Sequence, residues 1–334
     1  MCTRVVYLGK DKQTGKDMIL TGRNMDWTSD EMMENSNLWA FDKDIERNGA
    51  AGPDPIQWTS QYKTVVTSYH DGAVSDGINE AGLVANMNYL TETKFPEQAE
   101  GRKSLAVSAW VQYVLENYAT VAEAVKDLEK EPFYIVSAAP PGRPPNEVAT
   151  THLSISDASG DSAIFQYIEG KLNIHHNREY QVMTNSPIYE KQLALNEYWE
   201  RIGGMTMLPG TNRSEDRFVR ASFYINAIPQ KTDIDQAIAA VFSVIRNASV
   251  PLNISTSTQP IISCTRWRTV ADSTNKRYFF ESAYAPYVVW VNLADLKFED
   301  NKKAKNLVLK TNKFIAGDVT ELLEPADPFE FRTE

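Results

Sequence analysis

Cys2-Thr3-Arg4-Val5-Val6-Tyr7-Leu8 follows a single Met1, and the reading of this stretch decides the fold. Removal of a methionine in front of so small a side chain leaves a thiol and a free α-amine on one residue. Nucleophile and base then sit together at the head of a strand-like run. If Met1 stays, the same nitrogen is an amide and the base is lost. About twenty positions later, Gly22-Arg23-Asn24-Met25-Asp26-Trp27 sets a guanidinium and a carboxylate three residues apart. Arg23 favours a thiolate by its charge, and Asp26 accepts hydrogen bonds from a protonated amine and orients it. The amine and thiol have unperturbed pKa values of roughly 8 and roughly 8.5, so proton exchange between them is nearly balanced. An oxyanion also needs donors, and the side-chain amides of Asn88 and Asn185, near strand ends, suit that purpose.

The bulk properties leave room for such chemistry and exclude other kinds. The chain has 334 residues, enough for one large domain or two, and is 42% hydrophobic and 23% charged. Its formal net charge of −10 disfavours a nucleic-acid surface, which needs a basic field, but local arginines can still recruit an anionic small molecule. No apolar run approaches the roughly 18 residues of a spanning helix, so no membrane partner is expected. Cys264 is the only other cysteine, so no disulfide framework is expected, although a Cys2–Cys264 bridge is formally possible. The four histidines, His70, His152, His175 and His176, form no metal motif and read as polar strand residues. There is no GxGxxG or GxxxxGK run for a nucleotide.

Along the chain, residues 5–8 and 17–22 read as strands joined by a polar turn at 12–15. Methionines and aromatics scattered over 25–48 suggest a pocket wall. A strand follows over 62–69, then a turn and strand over 77–89. Periodicity predicts a helix over 104–118, and a second over 122–130 opened by Thr120 with Glu123 in capping-box spacing. The run PPGRPP at 140–145 reads as a loop or domain boundary. A strand meander is predicted over 151–184, helices over 193–201, 217–225 and 233–245, and strands over 263–272, 278–282 and 287–291. Alternating groups of strands and helices favour layered packing, with helices covering two sheets from outside.

Five stretches in order, CTR at 2–4, GRNMDW at 22–27, DGINEAGL at 76–83, TNSP at 184–187 and DRFVRASF at 216–223, resemble the choloylglycine hydrolase family. That family groups bile salt hydrolases with penicillin V acylases and some acyl-homoserine-lactone acylases. The resemblance covers nearly the whole chain. It implies an α+β fold, the four-layer αββα sandwich of N-terminal nucleophile hydrolases, as a single domain over 2–334. It implies an amidase that cleaves a C–N bond through a thioester on Cys2, with neither cofactor nor metal. By the same resemblance Cys2 is nucleophile and base, Arg23 and Asp26 flank it, Asn185 supplies the oxyanion hole, and Arg217 is the late arginine of an Arg-Phe motif. Asn88 falls where bile-salt enzymes tend to have asparagine and the penicillin-preferring branch often has another residue, and its backbone N–H is expected to help hold the oxyanion. Met25, Trp27 and Tyr89 are expected to line the substrate pocket.

Read without the resemblance, Arg217 is also an ordinary helix ion-pair partner beside Glu215 and Asp216. Trp27 reads equally as core, and Asn88 as structural. Asn88 and the apolar pocket point first to conjugated bile salts of glycine or taurine as substrates, with penicillin V or an acyl-homoserine lactone as the alternative. A catalytically silent binding protein of the same fold is the third reading. The interval from Asn185 to Arg217 is only 32 positions, short of the segment many Gram-positive members carry there. The shortness resembles the Gram-negative branch, which implies a periplasmic location, and the family implies a homotetramer.

Overall fold

A computed structural model describes residues 2–28, 35–98, 101–204, 206–259, 262–285, 287–299, 301–310 and 314–333. Met1, and residues 29–34 of the stretch read as pocket wall, lie outside the described residues. The N-terminal hairpin is longer than its apolar runs alone suggest: strands Cys2–Asp11 and Asp17–Trp27 pair antiparallel, with Cys2 opposite Met25. Their polar residues extend the pairing because both strands are central and packed on both faces, so Arg23, Asn24 and Asp26 are buried with the hydrophobes.

Among the described residues, this hairpin belongs to an eight-stranded sheet. Its order from one edge is Val182–Met183, Cys2–Asp11, Asp17–Trp27, Cys264–Asp272, Arg277–Ser282, Val288–Asn292 and Gly317–Asp318, with Lys231–Thr232 pairing at the far end of Cys2–Asp11. The second sheet runs Lys171–His176, Ser162–Ile168, Thr151–Ser156, Val84–Tyr89, Ala73–Asn79, Thr64–Tyr69, Leu38–Phe41, Ala304–Leu307 and Glu324–Ala326.

Three apolar layers separate four layers of structure. Helices α1 (Trp110–Asn117) and α2 (Val121–Leu128) pack on the outer face of the second sheet around Trp110, Leu115, Leu128 and Phe165. Between the sheets lie Leu38, Val65, Ile78, Val84, Trp267 and Phe280. Helices α3 (Tyr189–Ile202), α4 (Ser214–Ala227) and α5 (Ile234–Asn247) cover the outer face of the first sheet through Tyr189, Phe218, Val241 and Ile245. This is the αββα sandwich. Gly22 has a specific part in it: a Cβ there would stand 2.8 Å from Val241 Cγ1, so its absence lets α5 lie close on the sheet.

The helix start at Thr120 is as the spacing predicts. Thr120 accepts from the Glu123 N–H, and Glu123 Oε2 accepts from the N–H of Ala119. Several expectations need correction. Leu38–Phe41, in the stretch read as pocket wall, and Ala73–Asn79, whose end is read as a turn, are strands of the second sheet. Residues 103–106 form a strand parallel to Phe133–Val136, so the α-helix begins only at Trp110; Lys-Ser-Leu-Ala is too short to carry a period of its own. The end of the supposed meander leaves its sheet, because Val182–Met183 pairs with Cys2–Asp11 in the other one. Buried Arg4 ties this crossing down: its guanidinium donates to the carbonyls of Tyr180 (3.0 Å) and Ile155 (3.1 Å) and to Ser162 Oγ (3.0 Å). That crossing brings Thr184-Asn185-Ser186 alongside Cys2, the first described residue of the strand.

Candidate active site

Strand order sets the site. Cys2 starts the strand beside Asp17–Trp27, whose C-terminal half carries Arg23, Met25, Asp26 and Trp27, and the crossing strand delivers Asn185 from the other side. The Cys2 N–H donates to Asn185 Oδ1 at 2.7 Å. Arg217, on the first turn of α4, donates from Nη2 to the same Oδ1 at 2.7 Å and from Nη1 to Cys2 O and Thr3 Oγ1, both at 2.6 Å. It is therefore turned away from Glu215 and Asp216 and wholly buried, which excludes the helix ion-pair reading of this side chain. Asn185 donates from Nδ2 to Tyr89 O at 2.7 Å, and its own N–H bonds Ser214 Oγ at 2.8 Å.

On the opposite side of the thiol, Arg23 Nη2 lies 3.7 Å from Cys2 Sγ and 3.0 Å from Met25 Sδ, and donates to Met87 O at 2.8 Å. Its other terminal nitrogen pairs with Asp76 Oδ1 at 3.2 Å. Burial lowers the Arg23 pKa, but the charges of Asp76 and Cys2 outweigh it and the net displacement is upward. For Arg217 burial prevails over the pull of Asp26 and Cys2, and its pKa falls below the usual value. Asp26 is fully buried, and its Oδ1 accepts from Thr265 Oγ1 at 2.6 Å. A β-bulge at Arg266, between Thr265 and Trp267, aims this part of the neighbouring strand at the site.

The structure brings Cys2, Arg23, Met25, Asp26, Trp27, Asn88 and Tyr89 around one pocket, with Asn185 and Arg217 behind Cys2. Asn88 has its side-chain N–H groups directed at Thr184 O (3.0 Å) and Met183 O (3.4 Å), so its amide holds the crossing segment in place. Both cysteines are free and buried, which removes the bridge between them. Cys264 lies opposite Trp27 in the sheet, and its sulfur accepts from Asn253 N at 3.3 Å. Among the described residues no three His, Cys, Asp or Glu side chains gather as a metal would need.

Sequence reasoning did not assign several contributors to the site. Asp76, within the DGINEAGL stretch, accepts from Arg23, Ser75, Thr269 and Tyr278 in the space between the sheets. Gln192 on α3 donates to the carbonyls of Asn185 and Ser186 and to Ser214 Oγ, bracing the crossing segment. Arg332 reaches the pocket from the C-terminal tail, and Pro140 and Pro141 of the PPGRPP run form part of its wall, so that run is a pocket loop. Of these, only Asp76 lies in a stretch quoted for the family resemblance, DGINEAGL.

A model of the linear amide C–N hydrolases of the choloylglycine hydrolase family matches residues 2–308. The chain belongs to that family. This choloylglycine hydrolase family member is an amide C–N hydrolase of the N-terminal cysteine type acting on acylated small molecules. It is 46% identical over 99% of its length to a penicillin V acylase of Pectobacterium atrosepticum, 92% of which is covered. A solved penicillin V acylase structure from Agrobacterium tumefaciens superposes with a TM-score of 0.89 at 50% identity, with both chains covered completely. A variant of conjugated bile acid hydrolase from Clostridium perfringens gives 0.73 at 20% identity, covering 95% of this chain and 98% of that one, a likeness of fold.

Proposed function

We propose that this enzyme hydrolyses the side-chain amide of penicillin V and related aryloxyacetyl amides, in preference to conjugated bile salts. The observation that carries the reading is the pocket beside Cys2. Its free space is ≈ 110 Å³, lined by Met25, Trp27, Tyr69, Met87, Val107 and Ala149. An apolar cavity of about 150 Å³ accepts a benzene ring; this space is somewhat smaller, so one aryl ring enters with small shifts of flexible side chains such as Met25 and Met87, whereas a four-ring steroid needs much larger ones. The 46% and 50% identities to penicillin V acylases support the same choice over the bile-salt reading that Asn88 and the apolar pocket first suggested.

In this reading Met1 is removed and the Cys2 amine is free. The amine takes the thiol proton as Sγ attacks the acyl carbon, with Arg23 stabilising sulfur's negative charge. Asn185 Oδ1 and Asp26 hold the amine in its proton-accepting orientation. The carbonyl oxygen, now carrying the electron pair, is met by the second N–H of Asn185 Nδ2 and by backbone N–H at the Asn88–Tyr89 strand end. Collapse breaks the C–N bond, the ammonium passes its proton to the leaving amine, and a thioester remains. Water, deprotonated by the same amine, adds to the thioester; thiol and phenoxyacetic acid are released. Arg217 fixes Cys2 O and Asn185 together and acts as a positioning residue. A periplasmic location and a homotetrameric assembly, implied by the family resemblance, belong to the same proposal.

Steady-state kinetics with penicillin V, glycocholate, taurocholate and an acyl-homoserine lactone tests it. The expected result is a kcat/KM for penicillin V at least about tenfold above the others; a clear preference for glycocholate or taurocholate overturns it.

A further inference from the structure

The pocket at Cys2 continues past Trp27, Tyr89 and Pro140 into a second groove of ≈ 560 Å³. The two differ in chemistry. The first is apolar, while the second is lined by Thr28, Arg143, Asn146, Glu147 and Thr150 as well. Arg143, in the PPGRPP loop, donates from Nη2 to Thr28 Oγ1 at 3.1 Å, and its guanidinium carbon stands 5.9 Å from the centre of the Trp27 ring. Its remaining ion pair, with Glu147, is loose at 3.6 Å and half in solvent. A guanidinium has five N–H donors in a fork, and one bond to a hydroxyl leaves most of them for an incoming oxyanion.

The geometry points to this groove as the site for the amine half of the substrate, with Arg143 binding an anionic group, a carboxylate, on that half. The inference rests on the amidase reading above. A scissile amide at Cys2 must lay its acyl half to one side and its amine half to the other. The apolar pocket takes the acyl half, and the polar groove with its cation takes the amine half. On a chain of net charge −10, such a local cation is what allows an anionic substrate to dock. Trp27, at the junction, has the loop cation near its ring and lines both the acyl pocket and the groove.

The test compares penicillin V with its methyl ester, which keeps both halves of the molecule but removes the charge. Wild-type enzyme is expected to favour the acid roughly tenfold in kcat/KM, mostly through KM, with the preference shrinking as salt rises. In Arg143→Gln the acid-to-ester ratio should fall towards one, and Arg143→Lys should retain part of it. Because both substrates are assayed on one preparation, loss of folded enzyme does not move the ratio. A ratio unchanged in Arg143→Gln overturns the inference. So does a ratio lost in Arg332→Gln and kept in Arg143→Gln, which would put the carboxylate at the other end. Cleavage of the ester by wild type keeps the amidase reading standing in either case; cleavage of neither substrate defeats both.

Discussion

Asn185 Oδ1 lies 2.7 Å from the nitrogen of Cys2 and 2.7 Å from Nη2 of Arg217, so one amide oxygen joins the N-terminal nucleophile to a buried cation on helix α4. The amide's other end is tied to Tyr89 O, which fixes which way it faces. Asn185→Ala removes both the acceptor for the amine and an oxyanion donor. The loss expected is about 100-fold to 1,000-fold in kcat with KM little changed. A loss expressed mainly in KM would assign Asn185 to substrate binding instead.

Arg217 reaches Cys2 O, Thr3 Oγ1 and Asn185 Oδ1 with a planar fork that lysine cannot reproduce. Arg217→Lys should therefore lower kcat by at least about tenfold while Cys2 remains open to alkylation. Iodoacetamide labelling followed by peptide mapping reads the second part, and protection of Cys2 in the variant would show that the strand end itself has moved.

Asp76 and Arg23 form a pair with no solvent access between the two sheets. Removing one partner of such a pair leaves the other charge uncompensated, at a cost of about 3–5 kcal/mol. Asp76→Asn should lower the unfolding free energy by that order in urea titration, and reduce kcat as Arg23 loses its anchor near the thiol. Native-like stability would mean that Thr269 and Tyr278 alone hold the site.

His152 is wholly buried between Thr184 O (3.1 Å) and Gln166 Nε2 (2.9 Å), and burial pulls its pKa from 6.5 down to about 4. The unfolded chain therefore binds a proton between about pH 6.5 and about pH 4 that the native protein does not. Stability from this residue is complete above about pH 6.5 and is lost as pH falls through about 4, a contribution on the order of 3 kcal/mol. Thermal unfolding of wild type and His152→Gln across that range should show a steeper acid loss in the wild type. Parallel curves would contradict it.

The order of strands and helices was largely visible from periodicity, because each element presents one apolar face or is apolar throughout. Positions 103–106 and 182–183 were misread for a common reason: runs of two to four residues carry no period, and their partners are far away in sequence. Cys2, Arg23 and Asp26 were legible because they lie on adjacent strands of one hairpin. Arg217 required the resemblance, because it reaches Cys2 from helix α4; Asn185 was suggested by its amide, and the crossing at Val182–Met183 is what brings it to Cys2. Asp76, Gln192, Arg143 and Arg332 gave little signal, because a buried polar side chain is recognised by its partners and these come from four different parts of the chain.

The central claim, that a processed Cys2 carries the acyl group of an aryloxyacetyl amide, is tested most directly by mass spectrometry of enzyme quenched during turnover of penicillin V. The account predicts an N-terminal peptide beginning at Cys2 and heavier by one phenoxyacetyl group, absent from Cys2→Ala, which should also be inactive. An active enzyme whose N-terminal peptide still begins at Met1, or penicillin V cleavage that survives in Cys2→Ala, would contradict it.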